Sequence, residues 1–288
     1  DVYKRQDMNI AVTTASGGLG SAIINQLLKE VPKEQIIGLA RAPEKAEFLG
    51  VEIRKGDYNN LDDLLLSLTG VDVVLLVSGR DAPDKRIGQH QNVINAAKDS
   101  GVRKIVYTSI FGEVTDTTFS PIIASNRQTE KDVKRSGLEW AIGRNGLYIE
   151  PEVEYIETYK KDGKIANCAA DGKCAYTTRD ELAYAYSKMI LEDKHNGKTY
   201  NLTGEAITQQ QLTDYLNQAF GTSLTYESMS VEDYTKERQN ELGEFLGSII
   251  AGIYSGIRSG TTNVKSDFKK AAGREHISWD EYFRNLKK

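Results

Sequence analysis

Residues 9–20 read NIAVTTASGGLG, a short apolar run that leads into a glycine-rich turn. The pattern that follows places Leu19, Ile23 and Leu27 at helical spacing. A strand, a glycine-rich turn and a helix form the junction at which open α/β folds bind phosphate, because the first N–H groups of the helix lack partners and point outward. The stretch therefore predicts a βα unit with an anion site. The alternative is a glycine turn with only a structural role.

The same alternation of strand and helix continues along the first half of the chain. Short β-type runs occur at 9–13, 36–40, 51–55, 73–77, 104–108 and 140–144, with helical patterns between them. The run Val73–Val77 is continuously apolar, which is typical of a strand buried on both faces. Since β-α-β crossovers are right-handed, this rhythm predicts an α/β fold with a doubly wound parallel sheet of the Rossmann type.

Beyond Gly146 the rhythm changes. Capping-box sequences that begin at Thr178, Thr208 and Ser278 predict helix starts, and 198–202 predicts one more strand. We expect residues 8–145 to form an NAD(P)-binding Rossmann domain, and 146–288 to form a smaller, mainly helical substrate lobe, partly interleaved with the sheet. Residues 1–7 carry no pattern, and we interpret them as a disordered lead-in or tag.

Composition narrows the class of protein. The 288 residues carry a net charge of −4 without a block of five like charges, so no nucleic-acid footprint is visible. No apolar run approaches the ~20 residues that span a bilayer. The two cysteines, Cys168 and Cys174, indicate packed thiols in a reducing compartment and no metal site. We expect a cytoplasmic protein with a small-molecule partner, no nucleic acid and no membrane insertion. Assembly as a homo-oligomer stays open.

The glycine-rich turn supplies the first group of cofactor candidates: Thr13, Ser16, Gly17, Gly18, Leu19 and Gly20. Gly17 would let the backbone approach a pyrophosphate, and Gly20 would let the helix pack closely on the strand. Thr14 stands where the dinucleotide turn usually has its first glycine. A residue with a Cβ adopts that conformation at a cost, which would weaken cofactor binding or only reshape the turn.

The end of the second strand predicts which nicotinamide cofactor binds. An NAD site places a carboxylate there for the ribose hydroxyls, whereas this chain has Arg41, followed one turn later by Lys45. Cations suit a 2′-phosphate, so we predict NADP(H), with NAD(H) as the less favoured cofactor. The alternative for Arg41 is a solvated loop cation.

Polar and small residues also end the third to sixth strands, at the edge where open α/β folds bind ligands. The Asp57 carboxylate could accept from an adenine amino group, although a turn or helix-cap role is the alternative. We predict that the cofactor contacts Asp57, Tyr58, Val77, Ser78, Gly79, Thr108 and Arg144, and that Ser109, Asn145 and Tyr148 act in catalysis. The segment Gly252–Gly260, with Tyr254 and Arg258, is either part of a substrate cover or a surface helix end.

Several motifs together resemble a known family. They are TTASGGLG (13–20), LARAPEK (39–45), GDY (56–58), QNVINAAKDSGVRKIVYTS (91–109), RNGLY (144–148), KDGKIANCAADGK (161–173), TTRDELA (177–183) and GKTYNLTG (197–204). In this order they resemble the NmrA-like, atypical short-chain dehydrogenase/reductase family. Within it, the chain is most similar to the bacterial branch of type 2 NADPH-dependent quinone oxidoreductases and triphenylmethane reductases. The resemblance covers the chain from Met8 and thins after about residue 225.

This resemblance implies an NADP-binding Rossmann domain, a small substrate lobe and hydride transfer to quinones or similar conjugated acceptors. Ordinary short-chain dehydrogenases carry a Tyr-x-x-x-Lys pair on the helix before the sixth strand. Here that helix, residues 122–131, holds no such pair. The quinone-reductase relatives lack it too, and tend to carry a histidine where this chain has Asn126.

The missing acid has a chemical consequence. Hydride addition to a simple carbonyl yields a strongly basic alkoxide that needs a positioned acid, whereas addition to a quinone yields a delocalised, weakly basic anion that water can protonate. The sequence thus favours an NADPH-dependent oxidoreductase for quinone-like acceptors, with Asn145 or Ser109 donating to developing charge. The alternatives are a non-catalytic NADP-binding redox regulator of the NmrA type and a nucleotide-sugar or isoprenoid-type carbonyl enzyme.

Overall fold

The structure is a computed structural model that describes residues 8–286. The segment 1–7, interpreted above as a lead-in or tag, lies outside the described residues. The strands are β1 Ile10–Val12, β2 Ile36–Ala40, β3 Glu52–Lys55, β4 Val73–Val77, β5 Lys104–Ile110, β6 Glu139–Asn145, β7 Leu147–Tyr148, β8 Lys164–Asn167, β9 Lys173–Thr177, β10 Lys198–Leu202, β11 Ala206–Thr208 and β12 Thr225–Ser228. The helices are α1 Gly18–Leu27, α2 Leu61–Ser67, α3 Pro83–Asp99, α4 Ser120–Arg135, α5 Glu150–Glu154, α6 Ile156–Asp162, α7 Arg179–Leu191, α8 Gln209–Phe220, α9 Val231–Leu242, α10 Glu244–Arg258, α11 Phe268–Ala272 and α12 Trp279–Asn285.

The main sheet has seven parallel strands in the order β10-β6-β5-β4-β1-β2-β3. The strand order reverses between β1 and β4, so the connections that follow these two strands run to helices on opposite faces of the sheet and leave a crevice at their carboxyl ends. The predicted doubly wound Rossmann sheet is confirmed. Helices α1, α7 and α11 cover one face, and α2, α3 and α4 cover the other. Because both faces are covered, every residue of β4 is buried, as its continuous apolar run predicts.

The predicted helix starts are confirmed by their caps. Thr178, Thr208 and Ser278 each accept a hydrogen bond from the backbone N–H three residues later. Of the three, only Thr208 forms the reciprocal box. In the helix that begins after Thr178, the Glu181 carboxylate binds Arg274 instead.

The chain beyond Asn145 both returns to the main sheet and builds a second core. Helix α7 packs on the sheet beside α1, and β10 pairs with β6 as an edge strand. The remaining elements, among them the small β11-β9-β7 sheet and α8, enclose their own apolar cluster at the carboxyl edge of the main sheet. The division of roles at residue 145 stays a prediction. Among residues 8–286, no helix is long and apolar enough to cross a membrane.

Candidate cofactor and active site

Helix α1 lacks the side-chain N-cap that several other helices have. Its N-cap is Gly17, no described side chain caps its first turn, and that turn holds no acidic residue. Side chains do cap α2, α7, α8, α9 and α12. The first amides of α1 therefore stay available to an anion beside the exposed residues Ser16 and Gly18, at the positive end of the helix dipole.

Close packing explains the glycines of this turn. A Cβ on Gly20 would lie 2.4 Å from the Thr14 carbonyl oxygen, so only glycine fits where α1 meets the strand end. A Cβ on Gly17 would lie 3.2 Å from the same oxygen. Thr14 itself has φ +48°, the left-handed conformation in which glycine is favoured. The chain thus keeps the turn geometry and accepts strain at Thr14.

Arg179 extends this turn on its open side, and the sequence analysis missed it. A Cβ on Gly18 would lie 3.2 Å from Arg179 Nε, and the guanidinium lies 5.1 Å from the centre of the Tyr148 ring. The Glu150 carboxylate accepts from the Arg179 N–H at 2.7 Å and fixes the start of α7. A half-buried cation therefore stands next to the free amides of α1. Arg179 lies in the TTRDELA motif (177–183), which is part of the family resemblance but to which no role was assigned.

At the end of β2, Arg41 and Lys45 are both exposed. Neither side chain forms a hydrogen bond or an ion pair with any other residue of the part that the structure describes. Their charges are therefore uncompensated at the position predicted for a 2′-phosphate.

The structure corrects the expectation for Thr13, Tyr58 and Val77. The buried Thr13 hydroxyl donates to the Leu75 carbonyl at 2.9 Å and accepts from the Val77 N–H at 2.9 Å. The Tyr58 hydroxyl, also buried, lies 2.6 Å from both Thr13 Oγ1 and the Val77 carbonyl oxygen. These hydrogen bonds join β1 and Tyr58 to β4, so the two hydroxyls and the Val77 backbone hold the strands together.

Asp57 and Ser78 lie at the carboxyl edge as predicted. Asp57 Oδ1 accepts from the Asn59 N–H at 2.9 Å, which is the turn role named as its alternative. Ser78 is half-buried, and its hydroxyl donates to the Thr108 carbonyl at 2.6 Å. Thr108 is buried and accepts from the Ser78 N–H, so it shapes the loop and does not face a ligand.

Gly79 follows Ser78 and is fixed by a histidine. Its N–H donates to His90 Nε2 at 2.9 Å, so the proton of that ring lies on Nδ1, which faces Thr129 Oγ1 at 2.9 Å. Burial lowers the pKa of His90 to about 3, with the nearby Arg86 charge adding to the effect. His90 is therefore neutral and structural.

Arg144 was predicted to bind the cofactor, and its contacts correct that expectation. Its Nε donates to the Glu130 carboxylate at 2.9 Å, and Arg127 binds the same carboxylate at 2.9 Å. Glu130 is buried on α4. The three groups form a closed ion cluster between α4 and the ends of β5 and β6. The buried Ser109 hydroxyl adjoins this cluster and accepts from Arg127 Nη1 at 3.3 Å, and its catalytic role stays a prediction.

Asn145 and Tyr148 do come together on the opposite face. The Asn145 side-chain oxygen accepts from the buried Tyr186 hydroxyl and fixes the amide at the end of β6. Burial raises the pKa of Tyr148, while Arg179, Arg80 and a hydrogen bond with Asn145 oppose that rise. Asn145, Tyr148 and Arg179 therefore form one polar wall next to the α1 turn.

A small apolar pocket, here the α10 pocket, opens beyond this wall. It is lined by the residues after β5, by the segment 117–123, by β7 and by α10, namely Ile110, Phe111, Gly112, Thr117, Phe119, Ile123, Leu147, Gly252, Ile253, Gly256, Thr261 and Thr262. Gly252, Ile253 and Gly256 of the segment Gly252–Gly260 thus line this pocket, and its role as a substrate cover stays a prediction. Tyr254 and Arg258 face elsewhere, since they bind the Glu152 carboxylate and the Cys168 carbonyl.

The residues present fit a dinucleotide. An uncapped helix start, a glycine whose Cβ would block the turn, and free cations at Arg41 and Arg179 supply what a diphosphate with a 2′-phosphate requires. By contrast, no group of three or more His, Cys, Asp or Glu side chains within residues 8–286 is arranged to hold a metal ion. The fold and this site define a dinucleotide-binding protein of the short-chain dehydrogenase/reductase type.

Comparison with known proteins agrees with this assignment of the fold and the site. Residues 14–190 match the model of the NAD(P)H-binding family. Quinone oxidoreductase 2 of Escherichia coli K12 is 38% identical over 229 residues, which cover 78% of this chain and 79% of that protein. The crystal structure of an E. coli NADPH-dependent quinone oxidoreductase with NADPH superposes with a TM-score of 0.88 at 33% identity, covering 96% of this chain and 99% of the other. Triphenylmethane reductase of Citrobacter sp., solved with NADP(H), gives 0.89 at 33%, covering 96% and 100%.

The chain therefore belongs to the NAD(P)H-binding family, and the predicted membership of the NmrA-like reductase group is confirmed.

Proposed function

We propose that this protein is an NADPH-dependent oxidoreductase that transfers hydride to a quinone or a similar conjugated aromatic acceptor. Two observations carry the proposal: no described side chain caps the start of α1, and the exposed Arg41 at the end of β2 pairs with no other described residue. The names of its relatives support it, since they describe NADPH-dependent reduction of quinones and of triphenylmethane dyes.

In this proposal, each phosphate has its own protein groups. The amides of Gly18 and Leu19, with the Arg179 guanidinium, hold the diphosphate, and Arg41 with Lys45 holds the 2′-phosphate. When bound, NADPH supplies a hydride. Residues 8–145 hold most of the cofactor. The chain beyond 145 adds Arg179 and Tyr148, which belong to the polar wall, and one side of the α10 pocket.

The lining of the α10 pocket suits an apolar acceptor, but its volume of about 20 Å³ is smaller than a quinone ring, so a bound acceptor would have to widen it. Its lining is mostly apolar or small, with Thr117, Thr261 and Thr262 as its only residues with polar side chains among those described, so it excludes water from a bound ring. The Asn145 amide and the Tyr148 hydroxyl, on the polar wall next to the α1 turn, orient the acceptor oxygen. Because the reduced quinone is a weak base, protonation by water suffices, which agrees with the absence of a Tyr-x-x-x-Lys pair from α4.

A turnover assay tests this proposal. Wild-type protein mixed with NADPH and a soluble quinone should consume the absorbance of the reduced nicotinamide, in proportion to the protein concentration. The Arg41→Ala variant should reach a similar kcat once NADPH saturates it. Tight NADPH binding without turnover of any of several quinones would contradict the proposal and favour a redox-sensing regulator.

We further propose a cytoplasmic location, which the two free, buried cysteines support.

A further inference from the structure

Arg86 is a buried cation without a counter-ion in the described part of the chain. The residue lies on α3 and is 5% exposed. Its Nη1 donates to Ser125 Oγ at 3.2 Å and its Nη2 to Asn126 Oδ1 at 3.2 Å, while the buried Nε has no hydrogen-bond partner. A guanidinium stays charged in proteins, and burying it without a carboxylate is costly. Such a charge requires an explanation beyond packing.

A continuous hydrogen-bond network leads from Arg86 to the carboxyl edge of the sheet. Asn126 Oδ1, which accepts from Arg86, also accepts from the Tyr107 hydroxyl at 2.7 Å and from Ser78 Oγ at 3.1 Å. The Tyr107 and Ser78 hydroxyls lie 2.9 Å apart. Ser78 is the half-buried member of this network and directly follows β4. The network thus connects the charge to Ser78, at the carboxyl edge of the sheet where the cofactor is predicted to bind.

The neighbouring titratable groups leave this positive charge in place. Glu130, the carboxylate that influences Tyr107, is already paired with Arg127 and Arg144. His90 packs against the Tyr107 ring at 5.7 Å and is neutral, since burial lowers its pKa to about 3. Burial raises the pKa of Tyr107 to about 12, so its hydroxyl keeps its proton.

We propose that Arg86 is a positioning residue for hydride transfer: its charge, which no described carboxylate pairs and which lies behind Asn126, Tyr107 and Ser78, stabilises through space the negative charge that an acceptor gains. The inference rests on the proposed function. The acceptor gains a hydride from the cofactor and a proton from water, and Arg86 supplies neither. A fixed charge of this kind acts strongly in a site of low dielectric because it needs no reorganisation during the reaction.

The charge of the acceptor separates this role from a structural one. A quinone becomes negative when it accepts hydride, whereas a cationic triphenylmethane dye loses its positive charge and becomes neutral. A fixed positive charge therefore favours the first reaction and not the second. Damage to the fold or to cofactor binding would slow both reactions alike.

The test compares the two acceptors in one variant. Arg86→Met removes the charge and keeps much of the side-chain volume. Its kcat with a soluble quinone should fall about tenfold or more, while its kcat with a cationic triphenylmethane dye should stay within about twofold or rise. The matched control is Lys85→Met, which removes the same charge from an exposed neighbour on α3 and should change neither rate.

A second variant keeps the inference testable if Arg86→Met does not fold. Asn126→Asp places a carboxylate directly against Arg86 in nearly the same shape, and it should produce the same selective loss with the quinone. Equal losses with both acceptors, or an unchanged quinone rate in either folded variant, would overturn the inference alone. A wild-type enzyme that reduces no quinone would overturn the proposed function, and this inference with it.

Discussion

The guanidinium of Arg179 lies directly against Gly18, close enough that a Cβ on Gly18 would be 3.2 Å from Arg179 Nε. The two residues begin different helices, α7 and α1, on the same face of the sheet. This contact joins the C-terminal half of the chain to the phosphate turn. A bound diphosphate would therefore meet amides from one half and a cation from the other.

Replacing Arg179 should weaken both nicotinamide cofactors equally. NADPH and NADH share the diphosphate, and a charge-assisted hydrogen bond contributes about 1.5–3 kcal/mol, or roughly a tenfold to hundredfold change in the dissociation constant. Titration of Arg179→Met with each reduced cofactor measures this effect. Arg258→Met removes a cation that binds backbone carbonyls away from the turn and should leave both affinities unchanged. A loss confined to NADPH would contradict the assignment.

Gly20→Ala should destabilise the protein, because the new Cβ would lie 2.4 Å from the Thr14 carbonyl oxygen. Overpacking of this kind costs about 1–3 kcal/mol. The same exchange at Gly88, which is exposed on α3 with no atom within 4 Å of its Cβ position, should stabilise the fold by about 0.5–1 kcal/mol. Thermal unfolding of the two variants should therefore shift Tm in opposite directions. Shifts of the same sign would refute this account of the turn.

Thr13→Val should lower the free energy of unfolding by about 1–3 kcal/mol, because the buried hydroxyl bonds to Leu75, Val77 and Tyr58. Chemical denaturation measures this change. Thr69→Val, which removes one exposed hydrogen bond, should change stability by at most about 0.5 kcal/mol. If Thr13→Val instead lost NADPH affinity at unchanged stability, the hydroxyl would be a cofactor ligand after all.

His90 should make stability depend on pH in the acidic range. Burial lowers its pKa in the folded protein to about 3 from 6.5, so the unfolded chain binds a proton that the folded protein excludes. Stability is therefore lost as pH falls below about 6.5, by up to about 1.4 kcal/mol per pH unit. His90→Gln removes this group but leaves His195 and His276, whose pKa values are also lowered.

Denaturation of wild type and His90→Gln at pH 7, 6 and 5 provides the measurement. The difference between the two proteins cancels the contributions of the remaining histidines. The variant should show a shallower loss of stability on acidification. Parallel curves would mean that His90 has the same pKa in the folded and the unfolded protein, against its role as acceptor of the Gly79 N–H.

Local patterns in the sequence were sufficient to predict individual strands and helix starts. Strand β4 and the helix starts at Thr178, Thr208 and Ser278 depend on neighbouring residues: a continuous apolar run for the strand, and a hydroxyl three positions before a backbone N–H for the helices. The placement of candidates at the ends of strands was also predictable, since parallel strands end at a common edge.

The sequence did not reveal which way side chains at those ends point. Neighbours on a strand face opposite sides, so Arg144 meets Glu130 on α4 while Asn145 meets Tyr186 on α7. Which face of the sheet a ligand can reach depends on the helices that pack against each face. The roles of Arg179 and Arg86 depend on contacts between residues that are distant in the sequence. The TTRDELA motif contains Arg179 but gives no sign of its contact with Gly18. Glu130 was missed for the same reason.

The most direct test of the central claim is a calorimetric titration of wild type, Arg41→Ala and Lys33→Ala with NADPH and NADH. Lys33 is exposed at the amino end of the same strand and controls for the loss of one positive charge. Wild type and Lys33→Ala should bind NADPH more tightly than NADH, and in Arg41→Ala the ratio of the two dissociation constants should fall toward one. No heat with either cofactor, or an unchanged ratio in Arg41→Ala, would contradict the claim that the α1 turn and Arg41 together bind NADPH.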